Sequence, residues 1–366
     1  MFNASVAPFR VRSRVLVIGG AGYIGSVLTR LLLADGHEVR VLDSLLYGAG
    51  SLAGLADHPD FELVVGDTRE AMLVGDAVYG VDSVVHLGEL VGDPACALDP
   101  GTTTAINYEA TRRIAEQSAE YGVSRFVYPS SCSVYGANDD VVDEESALNP
   151  VSLYAETKVR AEEAIAHVAA RMDTVVLRLA TVYGISPRPR FDLVVNQFAA
   201  RGFIEGEIVL HGGQQWRPFV HVADVADVIM TCLTAPAPVV AGRTFNVGSD
   251  DQNRTVGQVA DLVALRIRGM DVHVEPIEDH RNYRVSFARI RDELGFVPKR
   301  SLEGGIAEIH HALSTGTVSD YHDVKYSNVD TVRAALPTSP RSARPAGRSR
   351  RTSAQPELVG GHSPGG

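Results

Sequence analysis

Residues 14–25 read Arg14-Val15-Leu16-Val17-Ile18-Gly19-Gly20-Ala21-Gly22-Tyr23-Ile24-Gly25, and this stretch decides the fold. A short β-branched run that halts at glycines reads as a buried strand. Beyond it, over roughly 23–35, Ile24, Val27, Leu28, Leu31 and Leu32 recur at helical spacing, and Gly36 closes the segment as a C-cap. The glycines between satisfy G-x-G-x-x-G through Gly20, Gly22 and Gly25, and G-x-x-G-x-x-G through Gly19, Gly22 and Gly25. A tight turn needs positive φ, a pyrophosphate must approach the backbone closely, and a helix N-terminus supplies free N–H groups and a positive dipole end. Alone such a repeat is a weak signal and is equally met by a plain structural turn. At the first strand-to-helix junction it marks a dinucleotide site, with Gly19, Gly22, Tyr23, Ile24 and Gly25 as the expected cofactor contacts.

Outward from this loop the pattern repeats. Strands are expected at 39–43, 61–65, 83–87, 125–128 and 174–179, with helices near 104–121 and 152–171. Alternation of this kind implies an α/β protein with a Rossmann-type, doubly wound parallel sheet. Past Gly184 the segments shorten, broken by Pro187, Pro189, Gly202, Gly206, Gly212 and Gly213. We read 13–184 as an NAD-binding domain and 185–328 as a smaller C-terminal α/β substrate domain, with 221–248 returning to the main sheet. Residues 338–366, rich in Ser, Pro, Arg and Gly, are expected to be a disordered tail.

Of the 366 residues, 45% are hydrophobic and 22% charged, ordinary values for a globular chain, and no repeats are visible. The net charge of −11 argues against a nucleic-acid binder. Cys96, Cys132 and Cys232 have no metal-ligand spacing and suit a reducing compartment. The apolar run after Arg10, Arg12 and Arg14 is too short and glycine-rich for a signal peptide or membrane span, so a cytoplasmic protein without a metal is expected.

Two further features carry chemistry. Asp43 ends the second strand, where a carboxylate accepts hydrogen bonds from the 2′-hydroxyl of NAD and repels the 2′-phosphate of NADP; the alternative is a strand-end turn residue. Tyr154 and Lys158 lie four apart at the start of a helix and share a face. A lysine ammonium there is expected to bring a phenol down from about 10 toward neutrality, fitting it for proton transfer while a nicotinamide carries hydride. Ser130-Ser131-Cys132-Ser133-Val134-Tyr135-Gly136 lies upstream at a strand end and offers a hydroxyl to the same substrate oxygen.

Taken together, the glycine loop, Gly66-Asp67, His86-Leu87-Gly88, Asn107, the Ser-rich segment and Tyr-x-x-x-Lys occur in the order and spacing of extended short-chain dehydrogenases/reductases. The chain resembles their nucleotide-sugar epimerase/dehydratase branch over about residues 13–325. The resemblance implies a catalytic set of Ser131, Tyr154 and Lys158, with Asn107 supporting the lysine through water. It places Asp67 near the adenine and Leu87 and Gly88 near the nicotinamide ribose. It implies Tyr183 at the strand end leading to the substrate, Arg217 on a diphosphate, Arg281 or Arg284 as a second phosphate contact, and Asn196 near the diphosphate or sugar. For Arg217 the alternative is a surface arginine; for Arg281 and Arg284 it is a structural ion pair. It further implies NAD as cofactor, a nucleotide-diphosphate sugar as substrate, and a homodimer built on the helices near 104–121 and 152–171.

Departures from that pattern matter as much. Sugar 4,6-dehydratases carry an Asp-Glu pair where this chain has Cys132 and Ser133. Cys132 is either an acid/base toward a keto-sugar or a small packed thiol. Glu89 stands where the family has a small residue, and either faces the substrate as an extra acid or base or is ion-paired. Val91 and the segment Gly92 to Leu98 differ from UDP-galactose 4-epimerases. The expected function is a nucleotide-sugar epimerase working through a transient 4-keto sugar. A 4-ketoreductase or dehydrogenase, a dehydratase and a non-catalytic NAD sensor are the alternatives.

Overall fold

The computed structural model describes residues 12–267, 269–276, 282–336 and 365. Its central feature is a seven-stranded parallel sheet formed by β1 (Arg14–Ile18), β2 (Glu38–Asp43), β3 (Phe61–Val65), β4 (Ser83–His86), β5 (Arg125–Ser131), β6 (Asp173–Leu179) and β7 (Arg243–Val247). The spatial order is β7-β6-β5-β4-β1-β2-β3. The order reverses at β1, whose two neighbours are β2 and β4: Val17 faces Val41 on one side and Val85 on the other. A crevice therefore opens above the carboxyl ends of β1 and β4, the place where such sheets bind ligands. The strands in the middle are covered on both faces, so Leu16, Val17, Ile18, Val84, Val85, Phe126 and Val127 are all buried. β3 lies at the edge, and its Val65 is exposed.

The first helix, α1 (Gly25–Ala34), has no side-chain cap and no acidic residue in its first turn, which leaves its N-terminus available to an anion. Its end is set by Gly36 at φ +88°. Pro100–Thr104, Ala105–Ala110 and α2 (Thr111–Glu120) continue one another with helical dihedrals, but the middle six residues widen into a π-turn. α3 (Leu153–Ala166) starts at Ser152, whose hydroxyl accepts from the Ala155 N–H. It is shorter than the sequence reading of 152–171.

The chain returns to the main sheet late. α4 (Val222–Thr234) packs on α1, and β7 pairs with β6 in parallel, Phe245 opposite Leu177. The remaining strands are small. Thr181–Tyr183 pairs with Trp216–His221 in parallel, and Asn253–Thr255 adds to the latter antiparallel. These elements and the helices Val194–Ile204, Val256–Arg266 and Leu302–Ser314 share an apolar core of their own, including Val195, Phe198, Phe219, Val263 and Ile306. The chain through Ala335 forms one compact unit. The tail read as disordered lies outside the described residues, Gly365 apart. Among the described residues no helix is long and apolar enough to cross a membrane, and no group of side chains is placed to hold a metal ion.

Candidate active site

The glycine loop is shaped by close backbone approach. Gly19 has φ +83°, and a Cβ there would meet the Leu87 carbonyl carbon at 2.6 Å; one on Gly25 would meet the Gly19 carbonyl oxygen at 2.1 Å. Only glycine allows the loop, the β4 end and α1 to converge so tightly. Asp43 is largely buried and anchors the loop: its carboxylate accepts from the Ala21 N–H at 2.9 Å and the Leu45 N–H at 2.7 Å. Burial pushes its carboxyl up, opposed by those two N–H donors. Asp43, Asp67, Leu87 and Gly88 line a cavity of about 100 Å³ that also touches Gly19 and Gly22. Asp67 is paired with Arg69 at 2.6 Å, which lowers its carboxyl.

A second cavity, of about 270 Å³, opens on the other side of the loop. It is lined by Gly19, Gly22, Tyr23, Ile24 and Gly25 together with Ser131, Tyr154 and Lys158. The sequence motifs, up to 139 residues apart, thus meet in one cleft. A hydrogen bond joins Ser131 to the Tyr154 phenol, and the Ser133 N–H fixes the Ser131 hydroxyl at 3.1 Å. The residues fit NAD: a capless helix N-terminus and glycine cradle for the pyrophosphate, an acid at the end of β2 for a ribose, and a serine–tyrosine–lysine group beside the ring position.

The electrostatics of Tyr154 differ from expectation. Its phenol is raised above the usual tyrosine range, first by burial and next by the charge of Glu89, against the lowering expected from Lys158 alone. The reason is visible. The Lys158 ammonium lies 2.5 Å from Glu89 Oε2 and donates to the Pro129 carbonyl at 2.7 Å. The Glu89 side chain is only 1% exposed and also accepts from the Tyr128 hydroxyl at 2.7 Å and the Thr111 hydroxyl at 3.2 Å. Glu89 is therefore ion-paired, and the reading of it as a free acid or base toward substrate is corrected.

Several other expectations change. Cys132 is fully buried, donates to the Arg178 carbonyl at 3.2 Å and has its thiol pushed up by burial, so it is a packed thiol rather than an acid/base. Asn107, inside the π-turn, accepts from the Leu90 N–H at 2.9 Å and donates to the Leu90 carbonyl at 2.8 Å. Through these two bonds it pins the loop after β4. Tyr183 is buried in the smaller core, its hydroxyl donating to Gln252 Oε1 at 2.8 Å, away from the cleft. Asn196 is likewise buried and braces Gly184 and Arg190 through its amide. Arg217 does line the cleft, donating to the Trp216 carbonyl at 2.7 Å beside the Tyr283 ring. Arg284 lies over the Trp216 ring and donates to the Asp139 carbonyl, and Arg281 lies outside the described residues.

Sequence reading missed Tyr47, Arg188 and Arg190. All three line the cleft. Arg188 is buried, stacks 3.9 Å over the Tyr47 ring and donates to Asn328 Oδ1 at 2.7 Å, while its Nε and Nη2 have no hydrogen-bond partner among the described residues. Burial and the neighbouring Arg190 push its guanidinium down to about 10. Arg190 pairs with Asp192 at 2.8 Å. The signal was Pro187-Arg188-Pro189-Arg190, separated from Gly184 by two residues, where the prolines alone were read, as breaks.

This fold and cleft define a nicotinamide-dependent enzyme of the extended short-chain dehydrogenase/reductase type. The chain belongs to the NAD-dependent epimerase/dehydratase family, whose model matches residues 15–248. A UDP-glucose 4-epimerase of Mycolicibacterium smegmatis is 31% identical over 306 residues, 81% of this chain and 96% of that relative. Among solved structures, the dTDP-glucose 4,6-dehydratase DesIV of Streptomyces venezuelae with NAD and TYD bound has a TM-score of 0.75 at 27% identity, covering 83% of this chain and 97% of that one. MoeE5 in complex with UDP-glucuronic acid and NAD has a TM-score of 0.73 at 27% identity, covering 82% and 99%. The cofactor is NAD.

Proposed function

We propose that this enzyme epimerises a nucleotide-diphosphate sugar through a transient 4-keto intermediate. The observation that carries the reading is the composition of the cleft: Ser131, Tyr154 and Lys158 beside the glycine loop, with no second free acid–base pair among the described residues. At the two positions after Ser131, Cys132 is turned into the core and Ser133 is a hydroxyl residue. The carboxylates that line the cleft are held, Glu89 by Lys158 and Asp93 by the Ser152 hydroxyl at 2.7 Å. Elimination of water needs an acid and a base beyond the hydroxyl–phenol pair, so a dehydratase lacks its parts.

NAD supplies a nicotinamide ring that takes hydride from a carbinol carbon and gives it back. Tyr154 removes the sugar hydroxyl proton and later returns it, and Ser131 holds the same oxygen. Lys158 fixes the electrostatics of the phenol. Net redox and net proton change are zero. Arg217 and Arg188 supply guanidinium groups for phosphate oxygens or other anionic groups of the substrate. An adjoining cavity of about 620 Å³, shared through Arg190, Arg217 and Asp93, has room for the nucleotide.

The test is incubation of purified enzyme with UDP-, dTDP- and GDP-sugars. Interconversion of epimers without added NADH and without net change at the nicotinamide absorbance band is expected. Stoichiometric consumption of NADH would instead identify a ketoreductase, and a stable 4-keto-6-deoxy product a dehydratase. The family likeness also implies a homodimer through α2 and α3, for which light scattering should give twice the 39.2 kDa chain mass.

A further inference from the structure

The carboxylate beside Lys158 has no part in the reaction above, yet it is buried and held by several protein groups. Four groups from four elements converge on Glu89: Lys158 from α3, Tyr128 from β5, Thr111 from α2, and through Thr111 the His86 ring from β4, whose Nε2 is 2.8 Å from the threonine hydroxyl. With Thr111 donating to Glu89, His86 donates from Nε2 to the same oxygen. The ammonium of Lys158 is drawn toward this cluster. It lies 4.5 Å from the centre of the Tyr128 ring but 5.9 Å from that of Tyr154.

We propose that Glu89 is a positioning residue for proton transfer: it clamps the Lys158 ammonium and offsets the positive charge that the ammonium would otherwise present to the Tyr154 phenol. The resting site then holds a neutral tyrosine, a proton donor, with a neutral ion pair behind it. Other charged and titratable groups facing this site are too few or too tied to substitute. Asp93 and Cys96 lie on the short helix after β4, and both act on the phenol in the same direction as Glu89, while Ser131 opposes them. His86 is held neutral by burial, and Glu162 acts on Tyr128 rather than on Tyr154. Arg188 and Arg190 line the far side of the cleft, with Arg190 tied to Asp192.

A phenol kept protonated by burial and by Glu89 gives up its proton more readily when positive charge is added beside it, and an oxidised nicotinamide ring is such a charge. The carboxylate therefore ties base strength to the oxidised state of the bound cofactor and acid strength to the reduced state, as an oxidation followed by a reduction on one sugar requires. The inference rests on the reading of Tyr154 as the proton-transfer group.

The experiment is a pH titration of the full chain carrying ring-labelled tyrosine, followed by NMR, with Tyr154→Phe identifying the resonance. In Glu89→Gln, Tyr154 should ionise at a pH at least about one unit lower than in the unsubstituted protein, a tenfold rise in phenolate at a given pH. Glu89→Asp should stay near the parent. The rising limb of the turnover–pH profile should move to lower pH in Glu89→Gln by a similar amount. An unmoved Tyr154 resonance in folded Glu89→Gln overturns the proposal. Where that variant fails to fold, Lys158→Met is compared with Glu89→Gln/Lys158→Met: a lower Tyr154 ionisation in the double variant supports the proposal, and identical titrations overturn it. The titration needs no substrate, so its failure is distinct from failure of the functional reading, which would show as turnover surviving Tyr154→Phe.

Discussion

At the scale of single residues, Tyr154 is where position and charge meet. Its distance from Lys158 along the helix was readable as one shared face, and Ser131 was readable as a hydroxyl at a strand end. The charge that acts on the phenol was not readable, because it comes from Glu89, 65 positions earlier, and only the fold makes them neighbours. Replacing Tyr154 by Phe removes the transferable proton and leaves the cleft shape. Turnover should fall by about 10²–10⁴-fold, the usual contribution of general acid–base catalysis, with NAD retained on purification as measured by mass spectrometry of the native protein. His86 gives a second residue-scale prediction. Buried and uncharged, it is pushed down to about 4, whereas an unfolded histidine titrates near 6.5. The stability this represents is complete above about pH 6.5 and is lost as pH falls toward 4, because only the unfolded chain takes up the proton. It amounts to about 3 kcal/mol. Urea unfolding of His86→Gln across that window should show a shallower acid slope than the parent protein.

At the scale of elements, the π-turn between Pro100–Thr104 and α2 shows how local geometry serves the site. One extra residue in a helical turn rotates Asn107 so that its amide spans both polar groups of Leu90. That fixes the loop carrying Leu87, Gly88 and Glu89 at the mouth of β4. Helical periodicity predicted a helix here but gave no hint of the wider turn, since apolar spacing alone does not register a single insertion. β1, α1, β2 and β4, by contrast, were legible nearly to the residue, because burial in the middle of the sheet forces continuous apolar runs and glycine punctuation. The elements after Gly184 were not, because they are short, and their strands pair with partners distant in sequence. Asn107→Ala would take the side-chain partner from the Leu90 N–H and leave the Leu90 C=O with the Cys96 thiol as its donor. It should cost about 1–3 kcal/mol in chemical denaturation and weaken NAD binding in calorimetry, whereas Asn107→Asp should keep the bond to the N–H and recover part of both.

At the scale of the whole molecule, the cleft is a product of two distant parts of the chain. The glycine loop, Ser131, Tyr154 and Lys158 come from the main sheet and its helices, and these were found by motif. The cationic wall comes from Arg188, Arg190 and Arg217, on segments whose placement depends on the chain leaving the sheet after β6 and coming back at β7. Arg217 was found because its Trp-Arg-Pro context carries a resemblance. Arg188 was not, because a buried arginine with two nitrogens lacking hydrogen-bond partners among the described residues is a feature of packing and has no sequence pattern. The division of labour predicts separable defects. Removing a guanidinium that meets a phosphate forfeits about 1.5–3 kcal/mol of charge-assisted hydrogen bonding. Arg217→Ala should therefore raise the KM for a nucleotide-diphosphate sugar by about 10–150-fold. The glycine loop proposed to hold the cofactor does not include Arg217, so the fraction of protein carrying NAD should be unchanged. Steady-state kinetics beside a count of bound NAD checks both. A variant that lost NAD and substrate together would mean that this wall holds the cofactor as well, and that the sugar is gripped elsewhere.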